Sequence, residues 1–315
     1  MPGSSGAGGA RPGVARSGVL PPGRHARLRV GRIPYINCFP VYGAVDRGVV
    51  PLDAALVDGV PTTLNRLMAA GALDVSVVSA VEYARDADRY LLLPDLAITS
   101  DGPVRSVLLF SDEPADALDG RDVVVSTSSM TSVALLELLF DGVWGARPRF
   151  VPGDAEIADL AGFERGGAGA PARPARLVIG DAALLLQAGP RPAGPGAPPA
   201  PYAHVYDLGA EWKRWTGLPF VFAVWVAQRT APVAAALAVH AALIESRNWG
   251  LAHLPELAAQ AHAATGVPRS LCAEYFRGLD YRLGPAHLAG LTEFFNRLVR
   301  AGRVPEGRLA FLPAA

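Results

Sequence analysis

The sequence has little of what several common chemistries require. It contains two cysteines in 315 residues, Cys38 and Cys272, and neither belongs to a CxxC pair. This usage fits a reducing compartment better than a disulfide scaffold. Lys213 is the only lysine, which leaves almost no candidate for Schiff-base or P-loop chemistry. The six histidines form no HxH, HExxH or paired Cys/His spacing, so we expect no metal site.

Other absences concern partners and location. The 29 basic and 29 acidic side chains cancel, which gives no reason to expect a nucleic-acid or membrane partner. The most apolar run, residues 218–227, is about half a membrane span and contains Pro219, so we interpret it as a buried strand. Residues 1–27 are rich in Gly, Pro, Ser and Arg and lack the apolar stretch of a signal peptide. We therefore predict a disordered N-terminal extension over 1–27 and a cytoplasmic protein.

Half of the residues are hydrophobic, and their pattern predicts an α/β fold. Short apolar runs alternate with helical segments over residues 28–93 and again over 123–206, which is typical of βαβ units on a mostly parallel sheet. After a strand near 220–226, the remaining segments up to residue 301 have helical periodicity. Two βα series joined by two crossings predict two lobes with a ligand cleft between them.

The predicted lobes are discontinuous. The first comprises residues 28–110 and 219–315, the latter with a helical C-terminus, and the second comprises 111–218. Two inserts of Gly, Ala, Pro and Arg interrupt the second lobe, near 163–175 and 188–201. Such composition buries too little apolar surface to offset the entropy of ordering, so we predict flexible loops there.

The candidate site consists of polar residues at strand ends. Residues 33–38 follow the first strand and lead into a helix, which places the Asn37 amide at the mouth of the cleft or, alternatively, at the helix cap. Ser79 also follows a strand and is either a cap or a cleft residue, and Glu82 three residues later matches a capping box. Near the first crossing, Ser106 is expected to point inward and Arg105 to face the other way, because side chains alternate along a strand.

Residues 126–132 place six hydroxyl side chains in seven positions between a strand and a helix. Free backbone N–H groups, hydroxyls and the positive helix end together suit a carboxylate or phosphate. The alternative is an ordinary N-cap, for which one serine is enough, and the number of hydroxyls favours a ligand. Asp181 begins another helix and is equally plausible as a cap or as a cleft acid.

Several of these motifs occur together in one known family. They are RIPYINCFP at 32–40, LD at 73–74 with SAVEY at 79–83, GPVRSV at 102–107, TSV at 131–133 with Leu135, and IGDAAL at 179–184. In this order, from about Leu28 to Gln228, the sequence resembles the chorismate dehydratases of the futalosine route to menaquinone.

The resemblance implies an α/β, two-lobed, periplasmic-binding-protein-like (type II) fold used as an enzyme. The implied reaction is that of a carbon-oxygen hydro-lyase, which converts chorismate to 3-[(1-carboxyvinyl)oxy]benzoate and water without a cofactor. The implied partner is the small dianion chorismate, with no nucleic acid or membrane, and the protein is a monomer or homodimer.

Because no histidine lies at a motif, we predict that the substrate's own enolpyruvyl carboxylate takes the proton. The predicted catalytic residues, which orient the ring, are Asn37 and Ser106. The predicted substrate-binding residues are Tyr35, Ser79, Ser100, Gly102, Val104, Ser126, Ser129, Thr131, Ser132 and Asp181.

Three alternatives remain. A 1,4-dihydroxy-6-naphthoate synthase-like lyase of the same pathway has a similar fold, but the run from Tyr35 to Asn37 argues against it. A transport solute-binding protein is expected to carry a signal peptide or lipobox cysteine. The ligand-sensing half of a transcription regulator needs a helix-turn-helix before Leu28, and residues 1–27, rich in Gly, Pro and Ser, do not supply one.

Overall fold

The computed structural model describes residues 27–153, 174–188, 202–305 and 308–313. The predicted N-terminal extension up to residue 26 and the predicted inserts over 163–173 and 189–201 lie outside the described residues. The first insert was predicted to extend to Ala175, but Ala175 already begins a buried strand. That insert therefore ends earlier than its composition indicates.

Strands and helices alternate through the first two thirds of the chain, and helices dominate the last third, as predicted. The strands are β1 Leu28–Arg32, β2 Ala54–Asp58, β3 Val75–Ser79, β4 Tyr90–Ser100, β5 Val107–Ser111, β6 Asp122–Ser126, β7 Arg149–Gly153, β8 Ala175–Ile179, β9 His204–Asp207 and β10 Phe220–Gln228. The α-helices are α1 Phe39–Asp46, α2 Pro61–Ala69, α3 Ala80–Arg85, α4 Met130–Leu139, α5 Gly180–Ala188, α6 Leu208–Thr216, α7 Val233–Ala252, α8 Leu254–Thr265, α9 Arg269–Gly278 and α10 Pro285–Arg300.

The strands form two five-stranded sheets, in the orders β2-β1-β3-β10-β4 and β7-β6-β8-β5-β9. In the first sheet β1 is parallel to β2 and β3, whereas β10 is antiparallel to β3 and β4. In the second, β6 is parallel to β7 and β8, whereas β5 is antiparallel to β8 and β9. Both sheets are mixed: four of the five strands in each point the same way, as predicted, but half of the strand pairings are antiparallel. The one antiparallel strand in each is not visible in the sequence, because a buried strand of either direction is a continuous apolar run.

Each antiparallel strand is the first one that the chain forms after passing from one sheet to the other. The first passage, between β4 and β5, uses residues 101–106. The predicted boundary at residue 110 assigned residues 107–110 to the first lobe, but Val107 pairs with Ile179 in the second sheet. The difference arises because β4 and β5 are both apolar and buried, so that composition does not mark where one sheet ends.

The core of the first lobe forms around β10, which is buried along its length except at its last residue. This confirms the prediction of a buried strand at residues 218–227. The Trp225 indole on β10 donates a hydrogen bond to the Tyr42 hydroxyl on α1, at 3.1 Å. On the outer side, α1 and α7 approach so closely that a Cβ at Gly250 would lie 2.1 Å from the Pro40 carbonyl oxygen. No helix in the described ranges is long and apolar enough to cross a membrane.

Candidate active site

A cavity of about 60 Å³ lies between the two sheets. It is lined by Ile33, Tyr35, Asn37, Pro61, Ser79, Ile98, Phe222 and Ala223 from the first lobe, and by Val104, Ser106, Val107, Ser129, Ser132, Ile179 and Gly180 from the crossing segment and the second lobe. This volume is well below the ~300 Å³ of a small ordinary ligand site. Because hydrogen bonds also join the two lobes, from Ile36 to Asp181 and from Val81 to Thr131, we interpret the structure as a closed form of the cleft.

Among the described residues, the lining contains an amide and several hydroxyls but no carboxylate, guanidinium, ammonium or imidazole. Three described histidines bind main-chain carbonyl oxygens elsewhere: His240 that of Pro94, His253 that of Trp249 and His262 that of Val267. In the described ranges no group of three His, Cys, Asp or Glu side chains could hold a metal ion. The chemistry available from the described lining is hydrogen bonding rather than acid-base transfer by a charged side chain.

Asn37 lines this cavity and does not cap the following helix. It lies in a short 3₁₀ turn, Ile36–Cys38, and the N-cap of α1 is Cys38, which makes no side-chain capping bond. The Asn37 Oδ1 atom is buried and has no hydrogen-bond partner among the described residues. Of the two roles that the sequence left open, the geometry favours the one in the cleft.

Ser106 lines the cavity and is held by bonds on both its main chain and its side chain. Its carbonyl oxygen accepts the Gly180 N–H at 2.8 Å, and its hydroxyl oxygen accepts a hydrogen bond from the Tyr275 hydroxyl at 2.8 Å. The preceding residue, Arg105, has a φ of +64°, which is uncommon for a residue other than glycine. Its side chain pairs with Glu274 at 2.9 Å and is not among the lining residues, as predicted, but Arg105 lies between β4 and β5, so strand alternation is not the reason.

The Asp207 carboxylate anchors the segment before Ser106. It accepts the main-chain N–H groups of Val104 at 3.0 Å and Arg105 at 2.6 Å. It also caps α6 by accepting the Ala210 N–H at 3.1 Å. Burial raises the pKa of Asp207, and these N–H bonds oppose that shift. Val104, a predicted binding residue, is thereby fixed against the cavity.

The hydroxyl-rich segment 126–132 both caps α4 and faces the cavity. Ser129 is the N-cap: its hydroxyl accepts the Ser132 N–H at 3.3 Å and lies 2.8 Å from the Ser132 hydroxyl. Both of these serines line the cavity. Ser126 and Thr131, also predicted to bind substrate, are not among the lining residues. The Ser126 hydroxyl accepts the Ser128 N–H at 3.0 Å, and that of Thr131 accepts the Val81 N–H at 3.2 Å from the other lobe.

Ser79 lines the cavity, but the predicted capping box with Glu82 is wrong. The Ser79 hydroxyl accepts a hydrogen bond from the Asn65 amide at 3.2 Å, and the Ser79 N–H donates to the Asn65 Oδ1 atom at 3.2 Å. Glu82 instead accepts the Tyr90 hydroxyl at 3.2 Å, and burial raises the pKa of this carboxyl. The hydrogen bonds of Ser79 are therefore made with the buried Asn65 of α2, and not with Glu82 of its own helix.

Ser100 and Gly102 shape the turn beside the cavity and do not line it. The Ser100 hydroxyl donates to the Gly102 carbonyl oxygen at 2.9 Å, and Gly102 has a φ of +109°. Helix α6 approaches so closely that a Cβ at Gly209 would lie 2.5 Å from that carbonyl oxygen. The predicted direct contact of these two residues with substrate is therefore not supported by their positions.

Asp181 is neither a cavity wall nor the cap of its own helix. Its Oδ1 atom accepts the Ile36 N–H from the other lobe, at 3.3 Å. Burial raises the pKa of Asp181 from 3.8 to about 6, and the Ile36 bond opposes this shift. Tyr35, the neighbour of Ile36, does line the cavity, and its ring packs on Gly180. Asp181 thus ties the turn that carries Asn37 to the second lobe.

Three polar residues around the site were not predicted: Asn65, Asp207 and Tyr275. Asp207 directly precedes a helix, and an aspartate in that position is a recognisable N-cap signal. Asn65 and Tyr275 lie inside helices, where the sequence carries no comparable signal.

A second cavity, of about 300 Å³, adjoins the first at Ser129. Two guanidinium groups lie on its wall, those of Arg85 and Arg303. Arg303 pairs with Glu137 at 2.5 Å. Arg85 is exposed, and its described contact is with the Met130 sulfur at 3.8 Å. Positive charge therefore lies beside the closed cleft rather than inside it.

Solved structures with the same fold include several binding proteins. A protein of Archaeoglobus fulgidus superposes with a TM-score of 0.69 at 18% identity, covering 88% of this chain and 98% of its own. The periplasmic aliphatic sulphonate binding protein of Escherichia coli superposes with a TM-score of 0.59 at 13% identity, covering 90% of this chain and 95% of its own. These similarities establish a periplasmic-binding-protein-like fold of two lobes, as predicted.

Sequence comparison identifies the family. The chain is 34% identical over 272 residues to the chorismate dehydratase of Thermus thermophilus, covering 84% of this chain and 95% of that enzyme. A family model described as menaquinone biosynthesis matches residues 28–300. That range contains both sheets and every residue that lines the cavity between them. The chain therefore belongs to the menaquinone biosynthesis family.

Proposed function

We propose that this protein is a chorismate dehydratase, a hydro-lyase that forms 3-[(1-carboxyvinyl)oxy]benzoate and water from chorismate. The observation that carries the proposal is the 34% identity to an enzyme of that name over most of both chains. We place the reaction in the futalosine route to menaquinone and in the cytoplasm, with no cofactor, in a monomer or homodimer.

The reaction needs a base that removes a ring proton and hydrogen-bond donors that stabilise the resulting enolate. The ring proton that is removed lies gamma to the ring carboxylate, so its loss gives an extended enolate. The electron pair then forms the last ring double bond as hydroxide leaves, and the proton and hydroxide together account for the water. Aromatisation drives the step, and hydrogen-bond donors aimed at the enolate lower its barrier.

The cavity chemistry supports a mechanism in which the substrate carries its own base. The lining residues that the structure describes include no ionised side chain to take the proton, whereas the enolpyruvyl carboxylate of chorismate is an internal base. In this proposal Asn37 and Ser106 donate hydrogen bonds that orient the ring and stabilise the enolate. Both line the same cavity. The Nδ2 group of Asn37 is the donor in this proposal, and its Oδ1 atom, which is buried without a partner among the described residues, is left to accept a hydrogen bond.

The remaining predicted binding residues fall into two groups. Ser79, Ser129 and Ser132 bring hydroxyls to the cavity, and Tyr35 and Val104 supply apolar surface for the ring. We propose that these five contact the substrate. The others hold the lobes or the turn in place: Ser100, Gly102, Ser126, Thr131 and Asp181.

Turnover of chorismate tests the proposal. The purified protein is incubated with chorismate, without added metal or nucleotide, and the products are analysed by mass spectrometry. We expect a product lighter by one water, absent from an incubation without protein. If chorismate survives unchanged the proposal fails, and cyclic dehypoxanthine futalosine tests the naphthoate synthase alternative. Binding of chorismate without turnover would indicate a sensor or solute-binding protein.

A further inference from the structure

Tyr275 contacts the proposed catalytic serine from outside the cavity. It lies on α9, 169 residues from Ser106, and its hydroxyl donates to the Ser106 hydroxyl oxygen at 2.8 Å. The two residues are 1% and 4% exposed, so water does not compete for this bond. Tyr275 is not among the described residues that line the cavity, so we expect it to act on a bound substrate through Ser106.

The direction of this bond decides what Ser106 can do. A serine hydroxyl has one proton and two lone pairs. When the phenol donates to one lone pair, the serine proton is directed elsewhere. The hydrogen bond runs from the Tyr275 hydroxyl to the Ser106 oxygen, and burial, by raising the pKa of Tyr275, keeps on the phenol the proton that it donates. The open side of Ser106 is the cavity, and so the serine becomes a donor toward whatever occupies it.

The neighbouring contacts fix where Ser106 lies, which leaves the direction of its proton as the property that Tyr275 controls. Asp207 holds the two preceding N–H groups, and the Ser106 carbonyl oxygen accepts the Gly180 N–H. The adjacent pair, Arg105 and Glu274, joins the same two segments at 2.9 Å. The serine backbone is therefore anchored without the phenol.

We propose that Tyr275 is a positioning residue that orients the Ser106 hydroxyl as a hydrogen-bond donor into the cavity. This inference rests on the proposed dehydratase function, in which Ser106 donates to the developing enolate. Stabilisation of the enolate needs a hydrogen-bond donor. A serine hydroxyl that donates its proton to another partner can only accept hydrogen bonds from the substrate. Tyr275 thus allows Ser106 to donate a hydrogen bond in the transition state, without itself contacting the substrate.

Kinetics of Tyr275→Phe test the inference. Loss of the phenol hydrogen bond is expected to lower kcat about tenfold, with KM changed less than about twofold because the bulk of the side chain remains. Tyr206→Phe is the matched control: its hydroxyl accepts the Ala115 N–H at 3.0 Å, in the second sheet and away from the cavity. We expect this control to leave kcat unchanged.

A double-mutant cycle separates orientation of Ser106 from a general structural role. If Tyr275 acts through Ser106, Tyr275→Phe has no further effect on the residual kcat of Ser106→Ala. Multiplied losses in the double variant would overturn the inference, as would unchanged kcat in Tyr275→Phe. Tyr275→Met also lacks the hydroxyl and must show the same loss of kcat. This second variant keeps the test decisive if Tyr275→Phe folds poorly. Absence of turnover by the wild-type protein would instead reject the dehydratase function itself.

Discussion

The Asp181 carboxylate accepts the Ile36 N–H across the cleft at 3.3 Å. Since burial raises the pKa of this carboxyl to about 6 from 3.8, the folded protein binds its proton more tightly than the unfolded chain does. Ionisation of Asp181 therefore costs stability. The cost is absent well below pH 3.8, grows between the two pKa values and is complete above about pH 6.

Replacement of Asp181 by asparagine removes this cost and keeps an acceptor oxygen for Ile36. We expect Asp181→Asn to exceed the wild type in free energy of unfolding by on the order of 2 kcal/mol at neutral pH, and the difference to shrink as pH falls toward 4. Denaturant titrations at several pH values measure it. Asp181→Ala loses the acceptor and serves as the comparison. A pH-independent difference for Asp181→Asn would contradict the assignment.

Substitution of a residue that lines the cavity between the sheets should lower kcat more than substitution of a residue that does not. Asn37→Ala removes a proposed donor to the enolate, and we expect kcat to fall about 100-fold. Ser126 lines the second cavity and not the one between the sheets, and Ser126→Ala removes an acceptor for the Ser128 N–H. We expect kcat within about twofold of the wild type. Steady-state kinetics with chorismate measure both. Equal losses in the two variants would mean that the cavity does not define the site.

The hydrogen bond between Thr131 and Val81 joins the two lobes, so we expect it to form only when the lobes are closed. Thr131→Val leaves the Val81 N–H buried without its acceptor, at a cost of about 1–3 kcal/mol that falls on the closed form alone. We expect KM to rise about tenfold with little change in kcat. Thr131→Ser keeps the hydroxyl and should retain the wild-type KM. A loss of kcat at constant KM in Thr131→Val would place Thr131 in the chemical step instead.

The left-handed backbone at Arg105 can be tested with two small residues. Arg105→Gly and Arg105→Ala both lose the ion pair with Glu274, but glycine adopts a φ of +64° without the penalty that a Cβ brings. We expect the glycine variant to be the more stable by about 1 kcal/mol. Thermal unfolding of the pair measures the difference. Equal stability would mean that the turn relaxes in the absence of the arginine.

Arg85 lies beside a cleft whose described lining residues include no cation, and it should attract a dianion. We expect Arg85→Ala to lower kcat/KM at low ionic strength, with a difference that disappears as salt approaches about 0.5 M. Arg121→Ala removes an exposed charge that pairs with Glu113 and lines a different cavity. That control should show a smaller effect at low salt. A salt-independent loss in Arg85→Ala would argue against an electrostatic role.

The sequence predicts the architecture well because each element has its own local signal. Alternating apolar runs and helical segments are sufficient for an α/β fold. Polar residues at strand ends are sufficient to locate Asn37, Ser79 and Ser106 at the cleft. Asn37 follows β1 and Ser79 ends β3, and the carboxyl ends of these two parallel strands meet at one edge of the first sheet, whereas Ser106 lies in the crossing segment directly before β5.

What the sequence does not predict depends on contacts between distant segments. Ser129 and Thr131 lie two residues apart in the same hydroxyl-rich run, yet one lines the cavity and the other bonds to Val81 across the cleft. Both hydroxyls are visible in the sequence, but the orientation of α4 against the first lobe, which decides what each hydroxyl contacts, is not. Tyr275 is a second example, in which the two residues lie 169 positions apart. Helical periodicity predicts which face of α9 is buried, but it does not predict that this face contacts Ser106.

The position of β10 sets an order for folding. This strand lies between β3 and β4, and among the strands of its sheet β4 pairs only with β10. While the chain is being synthesised, the first sheet therefore remains split until residue 228 has left the ribosome. The second sheet is complete in sequence by β9, which ends at Asp207. The later-encoded lobe can fold first, and the earlier one closes around a strand that returns to its centre.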